Sequence, residues 1–253
     1  WNGDEEKEKL NVEYFGIGDL EVSFNDKYLG YSLDTKGSEY YTIYLRDIKT
    51  KEFITEKIEE TSGDITFSLD DKYIFYSKLD ENHRPRKIFR HKIGTYTKED
   101  ELIFEEKSEA FTVGITLSSD DKFFFINTSD HNTSEQYYFN INEKKPIPKL
   151  IKERQRGILY SVNSWDGKFY NHSNENAEDF KIDITDNIEN PKWKSFIAPK
   201  EEVLIGGLTF LKNWIIRSET SNALDKLFVK NIKTGKEEEL IFSDETVYVP
   251  GVS

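Results

Sequence analysis

A polar turn followed by an aromatic-led apolar run returns five times in this chain of 253 residues. The copies are "SFNDKYLGYSLD" from Ser23, "SLDDKYIFYSKLD" from Ser68, "LSSDDKFFFINTSD" from Leu117, "SWDGKFYNHSN" from Ser164 and "FLKNWIIRSET" from Phe210. The first aromatic after each turn is Tyr28, Tyr73, Phe123, Phe169 and Trp214, at spacings of 45, 50, 46 and 45 residues. Helical solenoids of similar period are excluded by the scarcity of alanine and of 3.6-residue apolar stripes between the turns.

A period of this length built from short alternating strands is the signature of a propeller blade. The expected fold is therefore all-β, a β-propeller with four-stranded blades. In the second unit the strands fall on "DITFSL" (Asp64–Leu69, nearest the central axis), "YIFYSK", "KIFRHKI" (Lys87–Ile93) and "ELIFEE" (Glu101–Glu106). The first unit reads as "LEVSF", "YLGYSL", "YTIYLRDI" and "KEFITEKI"; the last as "GGLTF", "NWIIRSE", "KLFVKNI" and "EEELIF", with "KTGK" (Lys233–Lys236) as a hairpin turn. The repeating turn is read as scaffold, its aromatic residue packing between neighbouring blades.

Five units fit, at roughly 16–60, 61–108, 109–156, 157–201 and 202–245. Trp1–Phe15 is left as the tail of a preceding blade and Thr246–Ser253 as the start of a following one. A ring interrupted on both sides is expected to lack blades and to expose strand edges. The start at Trp1 and the absence of methionine also fit an excerpt of a longer protein.

Composition narrows the partners. Aromatic residues reach 14%, a balance that suits pleated surfaces. The net charge of −13 disfavours nucleic acid and anionic membrane and favours cationic peptides, or serves general solubility. With no cysteine, disulfides and thiolate chemistry are excluded. No apolar run approaches the roughly 20 residues of a membrane span, and no signal peptide opens the chain, so a cytoplasmic location is expected.

Catalytic motifs are missing. There is no Gly-x-Ser-x-Gly elbow. His83, His91, His131 and His172 show no zinc-binding spacing, so neither metal nor other cofactor is expected. "SDHNTSE" (Ser129–Glu135) crowds the residue types of a triad into one loop, where they serve side chain-to-backbone hydrogen bonds. "ENHRPRKIFRHK" (Glu81–Lys92) is the one strongly basic stretch. Its Arg84 and Arg86 flank Pro85, where long cations either meet a carboxylate of a peptide or another domain, or form a solvated hairpin end.

Several stretches in order, "EYYTIYLRDIKTKEF", "TSGDITFSLDDKYIFYSKLDENHRPRKIFRHKIGT", "DELIFEE", "SDHNTSE", "FYNHSNENAEDFKI" and "WKSFIAPKEEVLIGGLTF", resemble the propeller of the oligopeptidase B (protease II) group. That group lies in the prolyl oligopeptidase family of serine peptidases. The likeness runs from about Leu10 to Thr246. It departs at Lys200, where Arg usually follows the proline, at Gly206, where an acid often stands, and at Thr220, where Arg is expected.

The resemblance implies a seven-bladed propeller that gates an α/β-hydrolase domain carrying a Ser-Asp-His triad, here beyond Ser253. It implies cleavage of short peptides after Arg or Lys. The partners are then basic peptides and the peptidase domain of the same chain. The loop "DTKGSEYY" aligns with a region that meets that domain, which makes Glu39 the candidate for an inter-domain ion pair. Two other readings stand beside this one. A free-standing propeller binding protein partners needs a sealed ring, and a five-bladed glycosidase needs acids placed regularly at the axial strand ends.

Overall fold

The computed structural model describes residues 11–54 and 57–241. They form twenty strands and one short 3-10 helix, Thr97–Glu99. The expected remnant at Thr246–Ser253, and the first ten residues of the one at Trp1–Phe15, lie outside the described residues.

The first blade holds β1 (Gly16–Val22), β2 (Tyr28–Asp34), β3 (Tyr41–Asp47) and β4 (Ile58–Thr61). The second holds β5 (Thr66–Phe67), β6 (Tyr73–Leu79), β7 (Pro85–Lys92) and β8 (Glu101–Glu105). The bridge Thr61↔Lys78 joins these two meanders into one eight-stranded sheet. The third holds β9 (Thr112–Leu117), β10 (Phe123–Ser129), β11 (Ser134–Asn140) and β12 (Lys149–Lys152). β13 (Tyr160–Trp165), β14 (Lys168–Ser173), β15 (Lys181–Thr185) and β16 (Lys194–Ile197) make the fourth. β17 (Leu204–Leu211), β18 (Trp214–Ser221), β19 (Leu224–Asn231) and β20 (Glu237–Glu239) make the fifth. The last three are separate four-stranded antiparallel meanders. The fold is the all-β, four-stranded-blade architecture expected of a propeller.

The chain divides into two compact units. One comprises Trp1–Leu117, Asp121–Asp130 and Tyr137–Leu150; the other Ser118–Asp120, His131–Gln136 and Ile151–Ser253. In the first unit, Ile43, Leu45 and Ile58 pack on Ile65, Phe67, Ile74 and Tyr76. Phe75 and Ile88 pack on Val113, Ile115, Phe124, Ile126 and Phe139. In the second, Tyr170, Ile182 and Ile197 pack on Ile205, Phe210 and Ile215. Each cluster joins consecutive blades, and each fully buried aromatic or branched side chain contributes about 1.5–3 kcal/mol.

The turn chemistry explains the repeat. Ser23 Oγ accepts the Tyr28 N–H at 3.0 Å, and Ser68 Oγ accepts the Tyr73 N–H at 3.0 Å. In the first three blades the residue two before the aromatic is left-handed, with φ of 53° at Asp26, 52° at Asp71 and 54° at Asp121. Aspartate tolerates that region better than most residues. In the fourth blade Asp166-Gly167, with φ of 51° and 74°, makes a two-residue hairpin turn of the Asp-Gly kind.

Three expectations need correction. The leading aromatic is buried only in the fourth blade, at Phe169: Tyr28, which packs against the first cluster, Tyr73 and Phe123 are only partly buried, and Trp214 is 42% exposed. The residues after it are the core, because the second strand is covered on both faces, as in Ile74-Phe75-Tyr76 and Phe124-Phe125-Ile126. The axial strand of the second blade shrinks from Asp64–Leu69 to Thr66–Phe67, because the Ile65 N–H is donated to Asp19 Oδ2 at 2.9 Å. The outer strand of the first blade begins at Ile58, not Lys51; among the described residues before it, Phe53 bridges Arg46.

Candidate functional site

The three residues singled out from sequence lie on two neighbouring loops of the first unit. Glu39 is on the β2–β3 connection and Arg84 on the β6–β7 connection, with Arg86 at the start of β7. The loops are clasped together. The Tyr40 ring lies 4.1 Å from that of His83, and the Tyr40 hydroxyl donates to the Asp80 carbonyl at 3.1 Å.

Each loop is closed by an aspartate at or next to the end of a second strand. Asp34 accepts from the N–H groups of Lys36, Gly37 and Glu39. Asp80 Oδ1 accepts from the N–H groups of Asn82 at 2.9 Å and Arg84 at 3.0 Å. Burial works to raise the Asp34 carboxyl, but the loop hydrogen bonds outweigh it and hold the group below the usual carboxylate range. A cleft of about 340 Å³ opens beside this loop, lined by Asp34, Lys36, Tyr40, Glu59 and Glu60 among others.

The candidates differ in what they have left to offer. Glu39 is exposed, its backbone is left-handed (φ 60°), and its carboxylate meets no partner among the described residues. Arg84 donates from Nη2 to the Ala110 carbonyl at 3.0 Å. Arg86 donates from Nε to the Glu106 carbonyl at 2.8 Å, and its Nη1 lies 3.8 Å from Asp80 Oδ2. Both arginines thus brace this loop against the segment after β8.

Sequence reasoning missed a buried trio. His91 Nδ1 lies 2.6 Å from Asp100 Oδ1, and the Tyr76 hydroxyl donates to Asp100 Oδ2 at 2.8 Å. Burial, reinforced by Asp100, pushes the Tyr76 hydroxyl strongly up. His91 and Asp100 are almost wholly enclosed, so the trio is structural. The "SDHNTSE" loop is spent in the same way. Ser134 Oγ donates to the Tyr160 carbonyl at 2.7 Å, and Glu135 takes two bonds from the Arg154 guanidinium. No group of three or more potential metal ligands occurs among the described residues.

Among the described residues the site thus shows no reactive centre; it is a braced platform of loops on which the Glu39 carboxylate is left free. Residues 6–253 match the model of the prolyl oligopeptidase N-terminal beta-propeller domain. The chain belongs to the prolyl oligopeptidase family. Among curated relatives of the family, dipeptidyl aminopeptidase BI of Pseudoxanthomonas mexicana is 27% identical over 95% of this chain and 34% of its own length. Protease 2 of Moraxella lacunata is 32% identical over 67% of this chain and 25% of its own. The chain thus spans a quarter to a third of these relatives.

Solved propellers of the same family share the fold. Oligopeptidase B from Leishmania major superposes with a TM-score of 0.89 at 19% identity, over 96% of this chain and 36% of that one. The closed, antipain-bound oligopeptidase B from Trypanosoma brucei gives 0.87 at 21%, over 96% and 35%. The resemblance noted in the sequence is thus shown for family and fold.

The departures from the family pattern have local structural accounts. Lys200 keeps a cation in place, with Nζ 2.6 Å and 2.8 Å from the carboxylate oxygens of buried Glu219. At Gly206 a Cβ would stand 2.1 Å from Ser218 Oγ and 3.0 Å from the Ser218 carbonyl oxygen, so a side chain there requires Ser218 to shift. Thr220 donates its hydroxyl to Asp225 at 2.6 Å.

Proposed function

We propose that this chain is the substrate-gating propeller of a serine oligopeptidase that cleaves short peptides after Arg or Lys, with the catalytic α/β-hydrolase domain outside residues 1–253. The observation that carries the proposal is the match of residues 6–253 to a peptidase family's propeller domain. The preference for basic residues draws on the likeness to protease 2 and on a net charge of −13, which attracts cationic peptides. No helix among the described residues is long and apolar enough to cross a membrane. A cytoplasmic location is part of the same proposal, as is a division into repeat units near 16–60, 61–108, 109–156, 157–201 and 202–245.

A propeller over a catalytic centre excludes folded proteins and gives domain closure a role in turnover. Glu39 is assigned the inter-domain contact, an ion pair with a cation of the peptidase domain. Arg84 and Arg86 are assigned to the same surface, as donors to a peptide or domain carboxylate.

The test is cleavage by the full-length protein of matched short peptides carrying Arg, Lys or Pro before the scissile bond, with a folded protein as a size control. Cleavage after Arg and Lys, with the folded protein intact, is expected. Preference for proline, or digestion of the folded protein at the same rate, overturns the proposal.

A further inference from the structure

Asp34 is 2% exposed and spends its whole carboxylate on the loop it begins. Oδ1 accepts from Lys36 N–H at 2.9 Å, Gly37 N–H at 3.0 Å and Ser38 Oγ at 3.4 Å. Oδ2 accepts from Glu39 N–H at 2.7 Å, the shortest of the four. Charge-assisted bonds of this kind are about twice as strong as neutral ones. On the other side of Glu39, Tyr40 is fixed by the His83 ring and the Asp80 carbonyl.

Glu39 is therefore anchored on both sides in a left-handed conformation (φ 60°) that glutamate rarely adopts unaided. Its side chain alone is left free. Backbone strain of this sort persists only where the surroundings over-determine it, and here Asp34 and Tyr40 do so.

We propose that Asp34 is a positioning residue that holds the Glu39 carboxylate outward in one place, ready for a guanidinium or ammonium group of the peptidase domain. This rests on the inter-domain role proposed for Glu39. Asp34 touches neither substrate nor partner; it acts by sparing the closing contact the ordering of a flexible loop.

The experiment uses the full-length protein with Asp34→Asn, Glu39→Gln and the double variant. The readouts are kcat/KM on a short Arg peptide at low and high salt, and thermal stability. Asparagine keeps the size of Asp34 but puts an amide where the loop supplies donors. Glu39→Gln is expected to lower kcat/KM about fivefold at low salt and less at high salt, with the melting temperature unchanged. Asp34→Asn should reproduce that salt-dependent loss, and the double variant should be no worse than Glu39→Gln alone.

If Glu39→Gln is impaired while Asp34→Asn matches wild type, or if the two losses multiply, Asp34 has no such role. If Glu39→Gln is itself unimpaired at every salt, the inter-domain reading of Glu39 fails first. Hydrogen exchange on the unaltered protein gives an answer that needs no variant. The Glu39 amide should be protected despite its exposed loop, and free exchange there overturns the proposal.

Discussion

Asp71 and Glu39 have almost the same backbone, with φ of 52° and 60°, and sit at opposite ends of the strands of the first unit. At the turn end, the Asp71 side chain folds back into the protein. It is 8% exposed, and its two oxygens accept from the N–H groups of Phe24 and Asn25, each at 3.0 Å. These bonds tie the second blade's turn to the first blade's. At the loop end, Glu39 has the same left-handed backbone, held by Asp34, while its carboxylate is released to solvent. Strain repaid by internal bonds is scaffold. At Glu39 the side chain gains nothing inside the described residues, which leaves its carboxylate available for the inter-domain role proposed for it.

The sharpest way to break this comparison is to place glycine at both positions. Glycine accepts a positive φ without penalty, so it relieves the same local strain at each site. Asp71→Gly also removes two charge-assisted hydrogen bonds to the first blade's turn, a loss of about 2–3 kcal/mol in net stability. Urea denaturation followed by fluorescence should show the midpoint falling accordingly. A loss below about 0.5 kcal/mol would mean that the carboxylate bridge is incidental and that the two ends do not differ in kind.

A half-buried histidine extends the contrast to the other unit. His172 donates from Nε2 to the Ile205 carbonyl at 2.7 Å and stacks on Phe180 with ring centroids 4.6 Å apart. Burial pushes its pKa down, and the bond to Ile205 only partly offsets this. The unfolded chain then takes up a proton below the ordinary histidine value of about 6.5, while the folded chain resists it. Stability conferred by neutral His172 is complete above that pH and is lost as the pH falls from about 6.5 toward the depressed folded value. Unfolding curves between about pH 7.5 and 5.5 should show this slope in the wild type and a shallower one in His172→Gln. Equal slopes would mean that the folded and unfolded chains take up the His172 proton alike, so that its burial has no effect on stability over this range.

The same division between local and distant contacts decides what the sequence could reveal. The blade period was readable because its cause is local: a serine whose hydroxyl accepts the N–H five residues on, and an aspartate suited to the left-handed position between them. The shortened β5 was not readable, because the Ile65 N–H goes to Asp19, 46 residues away. Glu39 came into view through family resemblance, and no local pattern marked it. The pair Asp34 and Asp80, 46 residues apart at matching strand ends, was visible in the repeat. What they hold became clear only once Tyr40 and His83 were seen to clasp their loops. The His91–Asp100 pair sits nine residues apart across a hairpin, a spacing that carries no signal on its own.

The smallest effect is the most discriminating. Glu39→Gly removes a side chain with no internal partner and leaves its N–H free to bond Asp34 as before. Relief of the left-handed strain favours the variant by about 1 kcal/mol, and the extra freedom of glycine in the unfolded chain takes back a similar amount. The net change should therefore lie within about 0.5 kcal/mol of zero. Asp71→Gly starts from the same φ and is expected to lose several times that. A comparable loss at Glu39 would show that its carboxylate already serves the propeller's own stability, and its proposed availability to a second domain would fall.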